Sequence, residues 1–301
     1  MQNLLTLATI LAPLFIGYFI PLPRPCYRHI DKALNHFVYL ILALIGLSLA
    51  HVDHLDLAAI AAAVALLFLC TSGVNLAALI LFDRLRPWQR QAELHAEGHA
   101  RASISGSLGQ LAALALGYLA GILLPPAWQP PERASTYALI LLIFLVGLQL
   151  GGSGIPLRQV LINRRGVETT LICILSALAG GLLFAACFAD VSWTQGLALA
   201  SGFGWYSLSG IVISEAYGAV WGSVALLNDL LREFFALATI ALLMRRHASA
   251  AVGIGGATSL DFTLPMIQAA GGISVVPLAI SFGFLINLVS PVLMVFFSAW
   301  G

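Results

Sequence analysis

Three ionisable side chains interrupt an otherwise apolar stretch, AVWGSVALLNDLLREFFALATIALLMRR, at residues 219–246. They are Asp229, Arg232 and Glu233, preceded by Asn228. A charged side chain at the centre of a bilayer costs roughly 2.5–3.5 kcal/mol or more, so it needs a structural or functional reason. Spacings of three and four residues place these groups on neighbouring turns of one helix. Because one arginine cannot neutralise two carboxylates, the segment predicts a net negative site for a cation or a proton.

The alternative for this segment is a buried structural ion pair between Asp229 and Arg232. Such a pair would still leave Glu233 to be explained. We therefore take Glu233 as the first candidate for coupling to a cationic substrate or a proton, with Asn228, Asp229 and Arg232 as further members of the same site.

A second polar segment, SGFGWYSLSG at residues 201–210, lies between apolar runs. Irregular backbone at membrane depth is tolerated only where it is buried in protein or lines a cavity. A broken helix there would present backbone groups and helix-end dipoles to a solute. The alternative is an unbroken, closely packed helix of small residues. The binding candidates from this segment are Gly202, Gly204, Trp205, Tyr206, Ser207, Ser209 and the nearby Glu215.

A third segment, GIGGATSLDFTLP at residues 253–265, combines glycines with hydroxyl and acidic side chains. The pattern predicts a short half-helix with a polar tip, and Pro265 is expected to end it. The alternative is a glycine-rich cytoplasmic loop in which Asp261 caps a helix. The binding candidates here are Gly255, Gly256, Thr258, Ser259 and Asp261.

The composition places these segments in a membrane protein. The 301 residues are 60% hydrophobic and 9% charged, with a mean hydropathy of +0.97, which is too apolar for a soluble domain. The formal net charge of +1 gives no reason to expect a nucleic-acid partner. The four cysteines have no short paired spacing, so neither a disulfide framework nor a metal or other cofactor is expected.

The hydropathy pattern predicts an all-α polytopic fold with about eight transmembrane helices, since each span needs about 20 mostly apolar residues. The windows lie near 3–20, 34–50, 57–82, 103–124, 136–151, 167–189, 219–244 and 273–299. The segments 195–217 and 250–268 are left over, and they are predicted to be re-entrant or broken helices.

The distribution of Lys and Arg predicts that both termini lie outside a bacterial inner membrane. Ten basic residues follow the first, third and fifth spans, against one in the loops between them, and basic loops face the cytoplasm. Span seven then runs inward to Arg245 and Arg246 on the cytoplasmic side, and span eight returns the C-terminus outside. This arrangement requires that the segments 195–217 and 250–268 each enter and leave on one face.

Internal similarity predicts inverted repeats. Gly17-Tyr18 matches Gly117-Tyr118, and LIGLSL at 44–49 matches LVGLQL at 145–150. A unit with an odd number of spans is followed by an inverted copy. The predicted organisation is a three-span repeat at 1–101, its inverted copy at 102–190, and a transport-site region with two hairpins and two spans at 191–301.

A second, shorter repeat is indicated within the last region. The pattern Gly-x-x-Ser-Leu occurs from Gly204 and again from Gly256, and each copy precedes a span that contains an asparagine, Asn228 or Asn287. Short matches of Gly and Ser also arise by packing alone in membrane helices.

Motifs along essentially the whole chain resemble the bacterial lysine exporter LysO family of the inner membrane. The matching motifs are GY-x-I-P at 17–21, YLILALIGLSLA at 39–50, LVGLQL at 145–150, NRRG at 163–166, ASGFGWYSLSG at 200–210, ND-x-x-RE at 228–233 and GATS-x-DFTLP at 256–265.

The resemblance implies export of L-lysine and analogues such as thialysine, driven by an ion gradient, with proton exchange favoured over sodium. It also implies acidic groups within the membrane. Carried over by motif, these are Glu233 and Asp53; by composition alone, Asp53 in HVDHLD is an exposed loop acid. The expected partners are therefore lysine, its analogues, protons or sodium, and the lipid bilayer; a homo-oligomer is left open.

Three other classes of function are also compatible with the sequence. One is an ion-coupled transporter of another small amino acid or amine. Another is an intramembrane enzyme with Ser207 or Ser209 as nucleophile, which would need a general base at the same depth. The third is a structural membrane subunit, in which the charges at 229–233 would serve stability alone.

Overall fold

The computed structural model describes residues 12–50, 56–88, 105–123, 132–152, 157–188 and 190–300. These residues form helices and their connections, with no strand among them, so the all-α prediction is confirmed for this part of the chain. The first six helices are α1 (12–19), α2 (Arg24–Ala50), α3 (Leu57–Phe68), α4 (Val74–Leu85), α5 (Ser105–Leu123) and α6 (Glu132–Gly152). The remaining helices are α7 (Leu157–Ile162), α8 (Arg164–Cys187), α9 (Trp193–Ala200), α10 (Tyr206–Tyr217), α11 (Ala219–Met244), α12 (Ala248–Gly255), α13 (Leu264–Gly271) and α14 (Val276–Ser298).

Three described helices are long and apolar enough to cross a membrane: Leu57–Leu85, Arg164–Cys187 and Ile273–Ser298. The first joins α3 and α4 through a π-helical turn at Leu69–Gly73, and the third adds a short 3-10 turn to α14. Helix α11 has 26 residues but carries the charged group at 228–233. The protein is thus a membrane protein, while the total of eight spans and the position of its termini stay predictions.

Close backbone contacts link the two predicted three-span repeats. A Cβ atom on Gly17 of α1 would lie 2.9 Å from Leu148 N of α6. The counterpart contact joins the other two helices, since a Cβ on Gly46 of α2 would lie 2.8 Å from Tyr118 N of α5. The first helix of each repeat therefore packs against the second helix of the other. Two copies related by a twofold axis would make such an exchange, but their inverted orientation in a bilayer stays a prediction.

Both leftover segments are broken helices. Helix α9 ends at Ala200, and after the turn at residues 201–205 the chain resumes as α10. Helix α12 ends at Gly255 and continues through a 3-10 helix, Gly256–Leu260, to α13. We call the turns at 201–205 and 256–263 the first break and the second break. Positive φ angles at Gly204 (+87°) and Gly256 (+60°) fall where glycine meets no steric penalty.

Pro265 has a different role from the one expected. It lies in the first turn of α13 and so begins a helix instead of ending the preceding one. Proline suits this position because the first helical N–H groups have no intrahelical acceptor. Asp261 likewise caps no helix: its Oδ1 accepts the N–H of Phe262, the next residue, at 2.5 Å.

Candidate functional site

A cavity of about 380 Å³ lies between the two breaks, a volume within the usual range for small-molecule sites. Helices α2, α6, α11 and α14 complete its wall. Glu233 lies in this wall with only 1% of its surface exposed, so its carboxyl group is almost fully removed from solvent. The lining residues are Leu34, Gln149, Leu150, Gly152, Gly204, Trp205, Tyr206, Ser207, Glu233, Ala257, Thr258, Leu260, Asp261, Phe262 and Asn287.

The two breaks touch each other through backbone groups. Ala257 N–H, in the second break, donates to Phe203 O, in the first, over 2.9 Å. A Cβ on Gly256 would collide with the same Phe203 carbonyl oxygen, so only glycine permits this approach. Phe203 itself has a positive φ of 48°, which is uncommon for a bulky residue. The tips of the two broken helices are therefore joined, and each forms part of the cavity wall.

Arg232 of α11 binds the C-terminal end of α12. Its Nη2 donates to Gly253 O at 2.8 Å and its Nε to Ile254 O at 3.1 Å. Nη2 also lies 3.4 Å from Asn75 Oδ1 of α4. The last carbonyl groups of a helix have no intrahelical donor and carry the negative end of its dipole, so a guanidinium group stabilises them.

No ion pair joins Arg232 to Asp229 within the described structure. The direct Asp229–Arg232 salt bridge, which was the alternative for this segment, is therefore not formed in the described structure. Arg232 is 2% exposed and directs its hydrogen bonds to backbone carbonyls, with Asp229 close enough to interact through its charge.

Asp229 lies beside the first break and outside the cavity wall. Its Oδ1 accepts hydrogen bonds from Gly204 N at 3.2 Å and from Asn228 Nδ2 at 3.1 Å. A Cβ on Gly202 would collide with Asp229 Oδ2 and lie 3.0 Å from Ser209 Cβ. Glycine at 202 thus allows the carboxylate to lie directly against the first break.

Helix α14 holds both breaks by side-chain hydrogen bonds. Asn287 Nδ2 donates to Ala257 O at 2.8 Å. Ser290 Oγ donates to Ser201 O at 2.7 Å and lies 3.3 Å from Gly202 O. These carbonyls lie in the two breaks, where the regular helical hydrogen bonds are interrupted, so α14 supplies additional donors to both breaks.

Replacing Ser290 by Ala is expected to lower stability by about 1 kcal/mol, because buried carbonyls at the first break lose a donor. The thermal unfolding midpoint of the purified protein in detergent measures this. Ser223→Ala is the matched control, since the Ser223 hydroxyl donates within its own helix, to Ala219 O. Equal midpoints for the Ser290→Ala variant and the unmodified protein would contradict the anchoring role.

The other end of α12 is held by a second charged group. Asp83 Oδ2, at the end of α4, accepts Ala250 N–H at 3.0 Å, and Asp83 Oδ1 pairs with Arg165 of α8. Arg165 Nε also donates to Ser249 Oγ at 2.8 Å. Helix α12 therefore has a carboxylate at its N-terminus and a guanidinium at its C-terminus, the arrangement that complements a helix dipole.

Comparison with known proteins identifies the family. A family profile described as Lysine exporter LysO matches residues 111–298. The chain is 42% identical over 300 residues to a protein named Lysine exporter LysO from Escherichia coli (strain K12), covering 97% of this chain and 99% of that protein. The chain belongs to the lysine exporter LysO family. A protein named Putative lysine exporter from Haemophilus influenzae is 48% identical over 190 residues, which cover 63% of this chain and 97% of that protein.

No solved structure matches this LysO family member.

The candidate residues of this LysO family member differ in their position relative to the cavity. Those in the cavity wall are Glu233, Gly204, Trp205, Tyr206, Ser207, Thr258 and Asp261. Those buried around the breaks, behind the wall, are Asn228, Asp229, Arg232, Gly202, Ser209, Gly255, Gly256 and Ser259. Glu215 lies on the last turn of α10, away from the cavity. Asp53 lies outside the described residues.

Sequence reasoning missed three polar contributors to the candidate site. Gln149 and Asn287 line the cavity, and Ser290 anchors the first break. Asn287 could be noticed only as part of the shorter repeat, and Gln149 as a lone amide in an apolar helix. Nothing in the sequence distinguished Ser290 from other serines, because a single serine in a membrane helix is common.

Proposed function

We propose that this protein exports L-lysine, and analogues such as thialysine, from the cytoplasm by proton antiport with alternating access. Membership of the lysine exporter LysO family supports the substrate. The observation that carries the site is Glu233, a carboxyl group that is 1% exposed and lies in the wall of a cavity between two broken helices. An acidic group removed from water in this way favours a cationic ligand.

The cavity offers partners for the three charged groups of lysine, which has two ammonium groups and one carboxylate. Glu233 and Asp261 lie in the same wall and would bind the ammonium groups through charge-assisted hydrogen bonds. Thr258, Gln149 and Asn287 add neutral polar groups to that wall.

The carboxylate of lysine would bind at the start of α10. This 12-residue helix begins at the cavity, where Trp205, Tyr206 and Ser207 line the wall. The Trp205 side chain makes no capping hydrogen bond to the first turn of α10 in the described structure. The positive end of the helix dipole therefore points to the cavity and suits an anionic group.

Coupling to protons would follow from the shared use of Glu233. In this scheme the carboxylate binds a lysine ammonium group during the outward step and a proton during the return. Proton entry down its gradient would then drive lysine out. Alternating access would require the cavity to open first to one side and then to the other, by movement around the joined breaks.

The proposed membrane arrangement is a multi-pass inner-membrane protein with both termini outside and inverted repeats. The basic cluster of Arg86, Arg164 and Arg165 at the ends of α4 and α8 supports a cytoplasmic position for that face. The segments 195–217 and 250–268 would be re-entrant from opposite faces, so that their breaks meet at the cavity.

The decisive experiment measures lysine efflux from proteoliposomes that contain the purified protein. Lysine-loaded vesicles are tested under a proton gradient alone and a sodium gradient alone, with protein-free vesicles as control. We expect efflux that follows the proton gradient and is competed by thialysine. Efflux that follows only sodium would overturn the coupling, and absence of lysine efflux with normal reconstitution would overturn the substrate.

Asp261→Asn is expected to raise the KM for lysine by roughly two- to fivefold, because an exposed ion pair contributes at most about 1 kcal/mol. Asp261 lines the cavity but is exposed, unlike Glu233. Initial rates of lysine counterflow at several lysine concentrations measure the change. Asp190→Asn, at an exposed aspartate outside the cavity, is the control and should leave KM unchanged. An unchanged KM in Asp261→Asn would remove Asp261 from the binding site.

A further inference from the structure

Asp229 and Glu233 lie one turn apart on α11 but face different surroundings. Glu233 lines the cavity, whereas Asp229 lies behind it against the first break. Asp229 is 2% exposed; its Oδ2 accepts no N–H of the described residues, and the Ser209 hydroxyl is the donor that lies close to this carboxylate. A neutral hydroxyl does not compensate the charge of a buried carboxylate, whereas a bound proton or metal cation does.

We propose that Asp229 and the first break form a binding site for a monovalent cation, separate from the lysine cavity. Asp229 Oδ2 lies against Gly202, and the Ser209 side chain borders the same point. Asn228 Oδ1 is also buried and makes no hydrogen bond within the described part of the chain. Carboxylate, amide and hydroxyl oxygens are the donor atoms that hard cations prefer. Arg232 is the charged group that faces Asp229.

The end of α9 adds to the cation preference of this site. Its last carbonyl groups carry the negative end of the helix dipole. Ser290 donates to the carbonyls of Ser201 and Gly202, but a hydroxyl group brings no net charge.

At the second break, a cationic side chain of the protein itself occupies the position that corresponds to the proposed cation site. In the alignment of Gly204 with Gly256, the carbonyls of 201 and 202 correspond to those of 253 and 254. The carbonyls of Gly253 and Ile254 accept hydrogen bonds from the Arg232 guanidinium group. At the second break the protein thus supplies its own cation, whereas at the first break the neutral Ser290 leaves that charge to be brought by an ion.

A direct contact links this site to the lysine cavity. Asp229 Oδ1 accepts the N–H of Gly204, and Gly204 lines the cavity. A cation bound at Asp229 would offset the negative charge of the carboxylate that accepts the Gly204 N–H. The position of Gly204, and with it the shape of the cavity wall that contacts lysine, would then change. The inference rests on the proposed function for this coupling, while the cation site itself does not depend on lysine.

The test compares Asp229→Asn with the unmodified protein in two assays. Lysine counterflow needs no net ion movement, whereas gradient-driven efflux does. We expect Asp229→Asn to lose gradient-driven efflux by at least about tenfold more than it loses counterflow, since coupling between two sites is commonly worth about 5- to 150-fold. Retained gradient-driven efflux, or equal loss in both assays, would overturn the proposal. Sodium and proton gradients applied separately identify the cation.

Ion-dependent thermal stability tests the site without lysine. The unmodified protein is heated in sodium chloride or choline chloride, and over a range of pH. We expect either sodium or protonation to raise its midpoint, and Asp229→Asn to abolish that response. If Asp229→Asn does not fold, Ser209→Ala should raise the half-saturating concentration of the same ion severalfold. An unchanged ion response in the folded variants overturns the cation site, whereas a protein that binds the ion but moves no lysine overturns only the proposed function.

Discussion

Glu233→Gln is expected to reduce lysine counterflow and gradient-driven efflux by at least about 30-fold, since losing one partner of a buried charge pair costs about 2–5 kcal/mol. Gln keeps the size and hydrogen-bonding capacity of Glu but carries no charge and takes up no proton. Glu233 is the buried carboxyl group of the cavity wall, so both the ammonium group and the proton lose their partner. Initial rates in proteoliposomes, with reconstituted amounts matched, measure the effect.

Glu215→Gln is the matched control for this prediction. It makes the same chemical change on α10, but at a residue away from the cavity. We expect transport within about twofold of the unmodified protein, because the change is conservative and lies outside the cavity wall and the breaks. If Glu233→Gln left counterflow and its pH dependence unchanged, neither lysine nor the proton would bind at Glu233, and the proposed coupling would be wrong.

The helical fold and its interruptions follow from local sequence. Long apolar runs predict helices because only intrahelical hydrogen bonds satisfy the backbone in lipid. Gly204 and Gly256 marked the two breaks because their backbone conformations are ones that other residues rarely adopt. Pro265 was misread because a proline that follows a glycine cluster can end one helix or begin the next, and only the three-dimensional context decides which.

The partners of the charged residues could not be predicted from local sequence. Helical spacing brought Arg232 near Asp229, yet its hydrogen bonds go to Gly253 and Ile254, 21 and 22 residues further along the chain. The same limit applies to Asp229 and Glu233, whose spacing suggested one shared site. Their different surroundings depend on how the first break folds against α11, which no periodicity encodes.

The two anchors of the breaks form an exchanged pair. Arg232 belongs to the span after the first break and holds the helix end before the second, whereas Ser290 belongs to the span after the second and holds the helix end before the first. Each half of this region therefore fixes the broken helix of the other half. A movement that opens one break would therefore disturb contacts to the other, which is the coupling that the proposed alternating access requires.

Arg232→Met is expected to destabilise the protein by about 3–5 kcal/mol, the usual cost of removing one member of a buried charged network. Methionine fills a similar volume but leaves the carbonyls of Gly253 and Ile254 without their donor. It also removes the positive charge that interacts with Asp229. Thermal unfolding in detergent and the yield of monodisperse protein measure the loss. Arg245→Met, at an exposed arginine just after the end of α11, should have little effect.

The double variant Arg232→Met/Asp229→Asn separates the two causes of this loss. If uncompensated negative charge dominates, neutralising Asp229 should recover a substantial part of the lost stability, because both partners of the electrostatic interaction are then removed. If the unsatisfied carbonyls of α12 dominate, Asp229→Asn should recover nothing, and Arg232→Lys should recover part of it by restoring a donor and a charge. A single Arg232→Met variant as stable as the unmodified protein would show that the guanidinium group does not hold the second break.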